Sequence, residues 1–271
     1  MVAIEMPQKL KIEQVIENKI YSENPRPYFG ISGIGAKCPR ALWYSFRWVT
    51  KQENTAREYR LFQRGHREEP IIIADLELVG CKVHSTQVEV VTGHGHIKGH
   101  NDGIVENLPD APKTPHLLEM KTANDKRFAQ IKKDGIEKSN PEYAAQAQCY
   151  MKLLKLKRAL FVVVNKNNDE RYYERINYDS KQANQLLKRA YDIISTEVPP
   201  AKIGGATWYE CKWCGHYDVC QFDEQPLKNC RTCYHGDIHD EGKWACSLKD
   251  EWLSYDEQLA GCDRWTKLET L

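Results

Sequence analysis

Apolar residues follow strand-like and helix-like spacings in successive stretches of the chain, and these stretches predict its secondary structure. Strands are expected where apolar residues alternate or run together over a few positions, at 87–92, 97–105, 116–121, 159–165 and 171–176. Helices are expected where apolar residues recur with helical spacing, at 8–22, 41–48, 54–79, 125–136, 141–156 and 180–197. The order of these elements predicts an α/β fold, a mixed sheet flanked by helices.

Glycine, proline and asparagine mark the ends and weak points of these elements. Residues 25–35 contain two prolines and three glycines and are expected to form a loop. Within the predicted helix 54–79, Gly65 and Pro70 are weak points because neither residue favours a helix interior. Asn140 precedes a proline and is expected to cap the helix that follows.

The length and charge of the chain limit its organisation. At 271 residues it has room for one large domain and a small module. A turn at Gln225–Pro226 predicts the boundary, with a main domain over 1–226 and a small appendage over 227–271. No apolar run reaches membrane-spanning length and residues 1–10 do not resemble a signal peptide, so we expect no membrane association. The formal net charge of +1 gives no indication of nucleic acid.

Carboxylates and a lysine are concentrated in residues 98–121. Asp102 lies in one predicted strand, and Glu119 and Lys121 lie in the next. Side chains alternate along a strand, so Glu119 and Lys121 point the same way, and hairpin pairing would bring Asp102 beside Glu119. Two carboxylates and a lysine on one sheet face suit a divalent cation and a phosphate-bearing substrate. On its own a Glu-x-Lys triplet is more often a pair of surface residues.

The chain has ten cysteines, and without a secretory signal they indicate metal ligation rather than disulfides. Cys211, Cys214 and Cys220 form a Cys-x2-Cys-x5-Cys run that lacks a fourth ligand. Cys38, far upstream in a Cys-Pro-Arg sequence, is the candidate for it. The spacing alone fits both zinc and an iron–sulfur cluster.

A second cysteine set lies in the C-terminal appendage. Cys230, Cys233, Cys246 and Cys262 are a plausible tetrahedral thiolate set for Zn²⁺. Either of two histidines could replace one thiolate, His235 or His239. The segment is short and has few aliphatic residues, so a metal would supply folding energy that its core lacks. The two remaining cysteines, Cys81 and Cys149, are expected to be small buried apolar residues.

Four motifs in order resemble the PD-(D/E)XK nucleases, and among them the RecB-like exonuclease branch. The motifs are Arg64-Gly65-His66-Arg67-Glu68-Glu69, Gly99-His100-Asn101-Asp102-Gly103, Glu119-Met120-Lys121 and Gln146-Ala147-Gln148-Cys149-Tyr150. The resemblance spans residues 64–150 and implies a restriction-endonuclease-like fold. In the family the histidine of the first motif stands further from its glycine than His66 does from Gly65.

The resemblance implies a role for each motif residue. Asp102 and Glu119 would bind Mg²⁺ or Mn²⁺, with the carbonyl oxygen of Met120 as a further ligand. Lys121 would position the attacking water. Two supporting residues on one helix face would complete the site and contact DNA, namely Gln146 and Tyr150. The upstream metal position would be filled by His66, as in RecB-type enzymes, or by Glu69, as in lambda-exonuclease-type enzymes.

The first cysteine set resembles the iron–sulfur staple of AddB and of the CRISPR-associated RecB-like exonucleases. In those proteins one N-terminal cysteine and a C-terminal Cys-x2-Cys-x5-Cys run hold a [4Fe–4S] cluster. The resemblance favours this cluster over zinc at Cys38, Cys211, Cys214 and Cys220. Its role would be structural, because it would tie together the two ends of the nuclease domain.

Together these features predict a Mg²⁺- or Mn²⁺-dependent DNA exonuclease for recombination, repair or replication, possibly phage-encoded. The alternatives are a structure-selective endonuclease of the same fold and a DNA-end-binding module that does not cut. DNA is the expected partner, with recombination, repair or replication proteins as further ones. The expected location is the cytoplasm of a bacterium or of a phage-infected host. A basic stretch after Lys121 would contact the phosphate backbone, with Lys126, Arg127, Lys132 and Lys133.

Overall fold

The computed structural model describes residues 11–20, 24–51 and 54–268. The ends of the predicted helix 8–22 and the predicted absence of a signal peptide fall on residues outside these ranges. The α-helices are α1 (Lys11–Ile20), α2 (Pro39–Phe46), α3 (Ala56–Leu78), α4 (Asp125–Asp134), α5 (Ile136–Ser139), α6 (Pro141–Leu153), α7 (Ser180–Ser195), α8 (Tyr209–Lys212), α9 (Tyr217–Phe222) and α10 (Tyr255–Ala260). None of these helices is long and apolar enough to cross a membrane.

The strands form three sheets. They are β1 (Phe29–Gly30), β2 (Lys82–His84), β3 (Glu89–Thr92), β4 (Ile97–His100), β5 (Gly103–Glu106), β6 (His116–Ala123), β7 (Arg158–Asn165), β8 (Arg171–Asn177), β9 (Gly236–Ile238), β10 (Trp244–Cys246) and β11 (Glu251–Leu253). The central sheet has the order β2-β5-β6-β7-β8, and the small sheets have the orders β1-β4-β3 and β11-β10-β9. The central sheet is mixed, because β6 and β7 are parallel and its other neighbours are antiparallel.

Helices cover both faces of the central sheet, and β7 shows this most clearly. Every residue of β7 after Arg158 is buried. Phe161 and Val163 belong to the core cluster that contains apolar residues of α4, α6 and α7, whereas Leu160 and Val162 belong to the cluster with α3. A strand buried on both faces reads as a continuous apolar run, as 159–165 does. The predicted mixed sheet flanked by helices is confirmed.

One predicted strand is wrong in an instructive way. The stretch 97–105 is two strands in two different sheets, since β4 pairs with β1 and β3 while β5 pairs with β2 and β6. The strand is interrupted at Asn101 and Asp102, while the backbone continues from β4 into β5. Asn101 is fully buried and its Oδ1 accepts from the Val88 amide at 2.9 Å. This interruption places Asp102 at the junction of two sheets, between β4 and β5 and outside both strands.

Helix α3 runs unbroken through both of its predicted weak points, Gly65 and Pro70. A capping box begins it, in which the Thr55 side chain accepts from the Glu58 amide and the Glu58 carboxylate accepts from the Thr55 amide. Asn140 is the N-cap residue of α6, as predicted, but its side chain makes no capping bond to the helix.

The segment 227–268 packs on the rest of the molecule through several buried residues, of which Arg231 makes the most polar contacts. Arg231 is 1 % exposed, and its guanidinium donates to the carbonyl oxygens of Phe46 and Pro27 at 2.9 and 2.8 Å. The same group lies 3.7 Å from the centroid of the Trp48 ring. Trp244 of β10 is fully buried in the same core cluster as Phe161. The segment thus has its own small sheet but shares the main core, and its standing as a separate module stays a prediction.

Candidate active site and cysteine clusters

Asp102, Glu119 and Lys121 lie close together where β5 begins beside β6. The Met120 amide donates to Asp102 Oδ2 at 2.7 Å, which fixes the aspartate against β6. Lys121 Nζ donates to Glu119 Oε2 at 2.7 Å and lies 3.6 Å from Asp102 Oδ2. The alternation of side chains along β6 accounts for this, because it puts Glu119 and Lys121 on one face. Sequence reasoning therefore predicted a trio that the structure brings together.

Of these three residues, Glu119 lies in the environment that is least favourable for a charged side chain. Its side chain is fully buried, and its Oε1 has no hydrogen-bond partner among the residues that the structure describes. Burial raises the pKa of Glu119 to about 7, although Lys121 beside it acts in the opposite direction. A buried carboxylate oxygen without a donor is costly unless a cation binds it. The hard oxygen ligands of Glu119 and Asp102 fit a divalent cation such as Mg²⁺.

Lys121 stays charged in this environment. Glu119 and Asp102 raise the pKa of Lys121 above its ordinary value, although burial alone lowers it. The Tyr143 ring of α6 lies over it, with its centroid 5.6 Å from Nζ. Tyr143 is a site residue that sequence reasoning missed, because a tyrosine in an amphipathic helix gives no signal of its own.

Helix α3 presents Glu69 and His66 toward the trio to different degrees. Burial and then Asp102 raise the pKa of Glu69, while His66 and Lys121 lower it, so Glu69 lies within the field of the trio. Its side chain is 26 % exposed and that of His66 is 68 % exposed. Their 3.3 Å contact joins His66 Nδ1 to Glu69 Oε1. Glu69 is the better placed of the two for the upstream metal position.

Helix α6 closes the site with Gln146 and Tyr150. Both are buried, and Tyr150 Oη donates to the His100 carbonyl oxygen at 2.9 Å, next to the interruption between β4 and β5. Burial, then Glu119 and Asp102, raises the pKa of Tyr150, so the phenol stays protonated. A Cβ at Gly99 would lie 2.4 Å from Tyr150 Oη, which explains the glycine.

The first cysteine set converges on one small cavity. Cys38, Cys211, Cys214 and Cys220 line it together with Tyr44 and His216. Cys38 caps α2, and its Sγ accepts from the Ala41 amide at 3.4 Å. Next to Cys38 and Cys211, Lys37 Nζ lies 2.7 Å from Glu210 Oε1, although the two residues are 173 positions apart in the chain. Cys38 therefore lines the same cavity as the Cys-x2-Cys-x5-Cys run, and its role as a fourth ligand stays a prediction.

The second cysteine set lines another cavity. Cys230, Cys233, Cys246 and Cys262 surround it, together with His235 but without His239. Burial and then Cys233, Cys262 and Cys246 raise the pKa of Cys230 to about 11. Mutual repulsion of this kind disappears when thiolates share a cation. In the part of the chain that the structure describes, no group of three or more His, Cys, Asp or Glu side chains is already arranged to hold a metal ion.

Cys81 and Cys149 lie apart from both cavities. Both are buried, with exposed fractions of 6 % and 0 %. Burial raises the pKa of the Cys149 thiol to about 12. Their prediction as small buried apolar residues is confirmed.

A mixed sheet with an aspartate between two strands, a Glu-x-Lys on the next strand and a Gln-x-x-x-Tyr helix across the site is the arrangement that the resemblance to the PD-(D/E)XK nucleases implies. Residues 34–153, just under half of the chain, match the family model of the YqaJ-like viral recombinase domain. The matched stretch contains all four motifs and confirms the resemblance to the RecB-like branch. Among curated proteins there is no match to the chain.

Several solved structures share part of this fold. An alkaline exonuclease from Laribacter hongkongensis, LHK-Exo, is 19 % identical with a TM-score of 0.46, over 67 % of this chain and 90 % of that one. SSO0001 is 18 % identical with a TM-score of 0.44, over 77 % and 93 %. A phage-related exonuclease from Haemophilus somnus 129PT is 14 % identical with a TM-score of 0.39, over 58 % and 77 %. At these values the likeness is a partial one of fold, and no residue's role is taken from it.

Proposed function

We propose that the protein is a metal-dependent DNA exonuclease of the kind used in phage recombination. The observation that carries the proposal is Glu119, a fully buried carboxylate with one unpartnered oxygen, held between Lys121 and the Asp102 strand break. Such a group is unfavourable in a protein unless it binds a cation. A site built in this way serves hydrolysis of a phosphodiester, the reaction class of the matched family.

Each residue has one part in the proposed reaction. Asp102, Glu119 and Glu69 would hold Mg²⁺ or Mn²⁺, with the Met120 carbonyl as a further oxygen. The bound ion would neutralise charge on the phosphoryl group and stabilise the leaving oxygen. Lys121, charged and fixed by Glu119, holds the attacking water and stabilises its hydroxide form.

Helix α6 supports this arrangement from the opposite side. Tyr150 fixes the His100 carbonyl and so the end of β4 beside Asp102. Gln146 lies one helical turn earlier on the same face as Tyr150. We propose that Gln146 contacts DNA and that Tyr150 positions the strand break.

The direct test is digestion of end-labelled linear duplex DNA with Mg²⁺. We expect mononucleotide or short products, full inhibition by EDTA, and loss of cutting by at least about a hundredfold in Glu119→Gln and Lys121→Ala. Glu106→Gln is the matched control, since Glu106 lies on the neighbouring strand β5, and it should cut like the wild type. Normal cutting by Glu119→Gln would refute the assignment.

The same substrates separate the exonuclease from the two alternatives. An exonuclease leaves covalently closed circular DNA intact and digests it once it is linearised. Cutting of the closed circle would establish the endonuclease of the same fold. Binding of DNA ends without cutting, in protein loaded with Mg²⁺ or Mn²⁺, would establish the end-binding module.

We propose that the first cysteine set holds a [4Fe–4S] cluster. The convergence of four thiols from both ends of the nuclease domain on one cavity supports it. Burial and the neighbouring thiols raise the pKa values of Cys211 and Cys214, and this cost would be offset by thiolate ligation. The residues fit zinc as well, so the metal analysis decides between them.

We propose that the second cysteine set holds Zn²⁺. Four thiols around one cavity in a segment with few aliphatic residues support it. The bound ion would fix the turn that carries Arg231, which lies between Cys230 and Cys233. It would act on structure, since both cysteines stand apart from the catalytic trio.

Metal and sulfide analysis of anaerobically purified protein tests both cofactors. We expect a brown protein with iron and acid-labile sulfide near four each per chain and zinc near one. Cys211→Ser should lose iron and keep zinc, and Cys233→Ser should lose zinc and keep iron. Cys81→Ala is the matched control and should keep both. A colourless protein with about two zinc ions per chain would refute the cluster.

We further propose that the protein acts in the cytoplasm of a bacterium or a phage-infected host, where its DNA substrate is found. Recombination, repair or replication proteins are its proposed partners. Affinity capture with the catalytically inactive Glu119→Gln protein on DNA ends tests this, and recovery of DNA alone would argue for independent action.

A further inference from the structure

The turn between β2 and β3 has a strained backbone. Ser85 and Gln87 both have positive φ angles, +50° and +56°, although neither is a glycine. A side chain in this region of backbone space costs free energy and persists only where the surroundings impose it. Two such residues within three positions indicate that surrounding contacts impose the conformation of the turn, residues 85–87.

Asn101 holds the turn. This fully buried residue donates from Nδ2 to the Ser85 carbonyl at 3.1 Å and accepts the Val88 amide on Oδ1 at 2.9 Å. Its backbone carbonyl also accepts the Gln87 amide at 2.9 Å. Since Asp102 is the next residue, the strained turn and the strand break are fixed by one side chain.

The turn directs the Gln87 side chain to the proposed metal site. Gln87 Nε2 donates to Glu69 Oε2 at 3.4 Å, while the other oxygen of Glu69 is 3.3 Å from His66 Nδ1. Both oxygens of Glu69 thus have a partner from outside the trio. Hydrogen bonds at catalytic sites without ligand are often long and shorten when the ligand binds.

We propose that Gln87 is a positioning residue that sets the orientation of the Glu69 carboxylate and thereby the affinity for the catalytic cation. The proposal rests on the proposed function of the same site. It assigns a cause to the strain at Ser85 and Gln87, because the left-handed backbone is what carries the amide to Glu69.

A neutral amide suits this task. An amide donor orients a carboxylate without adding a positive charge that would compete with the cation. Residues that orient metal ligands in this way change metal affinity by about 10–100-fold when they are lost.

The test measures Mn²⁺ binding by the loss of the free-ion EPR signal, without DNA and without turnover. Gln87→Asn keeps an amide and tolerates the left-handed backbone, but it is one methylene shorter. Gln87→Gly removes the amide and the strain together. We expect both variants to bind Mn²⁺ about tenfold more weakly, and Gln87→Gly to keep or exceed the wild-type melting temperature.

Gln63→Ala is the matched control, because Gln63 is an exposed glutamine on the same helix as Glu69. It should bind Mn²⁺ like the wild type. Wild-type affinity in both Gln87 variants would overturn the inference. Failure of the proposed function looks different, since the wild type itself would then bind no divalent cation and Glu119→Gln would change nothing.

Discussion

At the residue scale, the site is governed by the pairing of Glu119 with Lys121. The lysine compensates one carboxylate oxygen of Glu119 and leaves the other without a donor. Lys121 is the one positive charge beside three carboxyl groups, those of Glu69, Asp102 and Glu119. The site is therefore negative overall. A divalent cation brings the missing charge, and a second lysine in its place would remove the need for it.

The pKa of Glu119 gives a pH dependence to metal binding. It stands at about 7, above its ordinary value of 4.5, so below pH 7 the metal-free protein holds a proton on this carboxyl. Mg²⁺ must displace that proton, and its apparent affinity should fall about tenfold for each pH unit below 7. Isothermal titration calorimetry at several pH values measures this.

The stability of the metal-free protein should change in the opposite sense. Between pH 4.5 and about 7 its folded state binds the Glu119 proton more tightly than its unfolded state, so the free energy of unfolding falls as pH rises. Glu119→Gln should abolish this slope and Glu106→Gln should retain it. An unchanged slope in Glu119→Gln would assign the proton elsewhere.

Residue identity made part of this site predictable from sequence. Asp102, Glu119 and Lys121 are recognisable because their types, order and strand alternation are unusual together. Gln87 and Tyr143 gave no such signal. Gln87 reaches the site only through a left-handed backbone that its own sequence does not favour, and Tyr143 acts through a ring placed by the packing of α6.

At the scale of elements, α3 carries Glu69 and also contains Gly65 and Pro70, two residues that are unfavourable in the interior of a helix. The capping box and the buried contacts of Ile72 and Leu76 outweigh Gly65 and Pro70. Because tertiary packing decides, propensity alone predicted weak points at which the helix does not break.

Gly65→Ala should stabilise the protein. No atom outside the helix lies within 4 Å of a Cβ at this position. Alanine lowers the backbone entropy of the unfolded chain, so we expect the free energy of unfolding to rise by about 0.5–1 kcal/mol. Urea unfolding followed by circular dichroism measures it. Gly95→Ala is the contrasting control, because its Cβ would lie 2.4 Å from the Gly242 amide nitrogen.

Helix α4 follows the catalytic strand directly and should contact the phosphate backbone. Lys126 and Lys133 are exposed on it, whereas Lys132 is paired with Glu170. Replacement of either exposed lysine by alanine should weaken binding to all DNA sequences alike and lower the salt slope of log K by about 1. Fluorescence anisotropy across a salt series measures it.

Lys157→Ala is the control for this prediction. Lys157 is an exposed lysine immediately before β7, and its Nζ lies 5.1 Å from the centroid of the Tyr178 ring. Its loss should leave the salt slope unchanged. An equal reduction in both kinds of variant would mean that binding depends on charge anywhere on the surface.

At the scale of the whole molecule, the segment 227–268 packs into the core of the main domain rather than lying beside it. Arg231 reaches across to Phe46 and Pro27, and His96 Nε2 lies 2.6 Å from the His239 carbonyl oxygen. Sequence reasoning predicted a boundary at 225–226 from turn chemistry and cysteine spacing. It had no means to predict the shared core, because a buried arginine and tryptophan in a polar segment look like surface residues.

Arg231→Ala should lower the free energy of unfolding by about 3–5 kcal/mol, since it opens a cavity and leaves three acceptors unpaired. Those acceptors are the Phe46 and Pro27 carbonyls and Gln258 Oε1. Chemical unfolding of metal-replete protein measures the change. Lys249→Ala, an exposed basic residue of the same segment, should stay within about 0.5 kcal/mol of the wild type.

The reach of Arg231 has a consequence for how the protein is made. Its bond to the Phe46 carbonyl joins residues 185 positions apart in the chain. At translation rates of about 5–20 residues per second, Phe46 is synthesised roughly 10–40 s before Arg231. Once Tyr150 has been made, the nascent chain contains every proposed catalytic residue, yet Phe46 and Trp48 still lack their arginine partner. We therefore expect chains interrupted before residue 231 to leave this aromatic surface without its arginine and to be more open to proteolysis than the full chain.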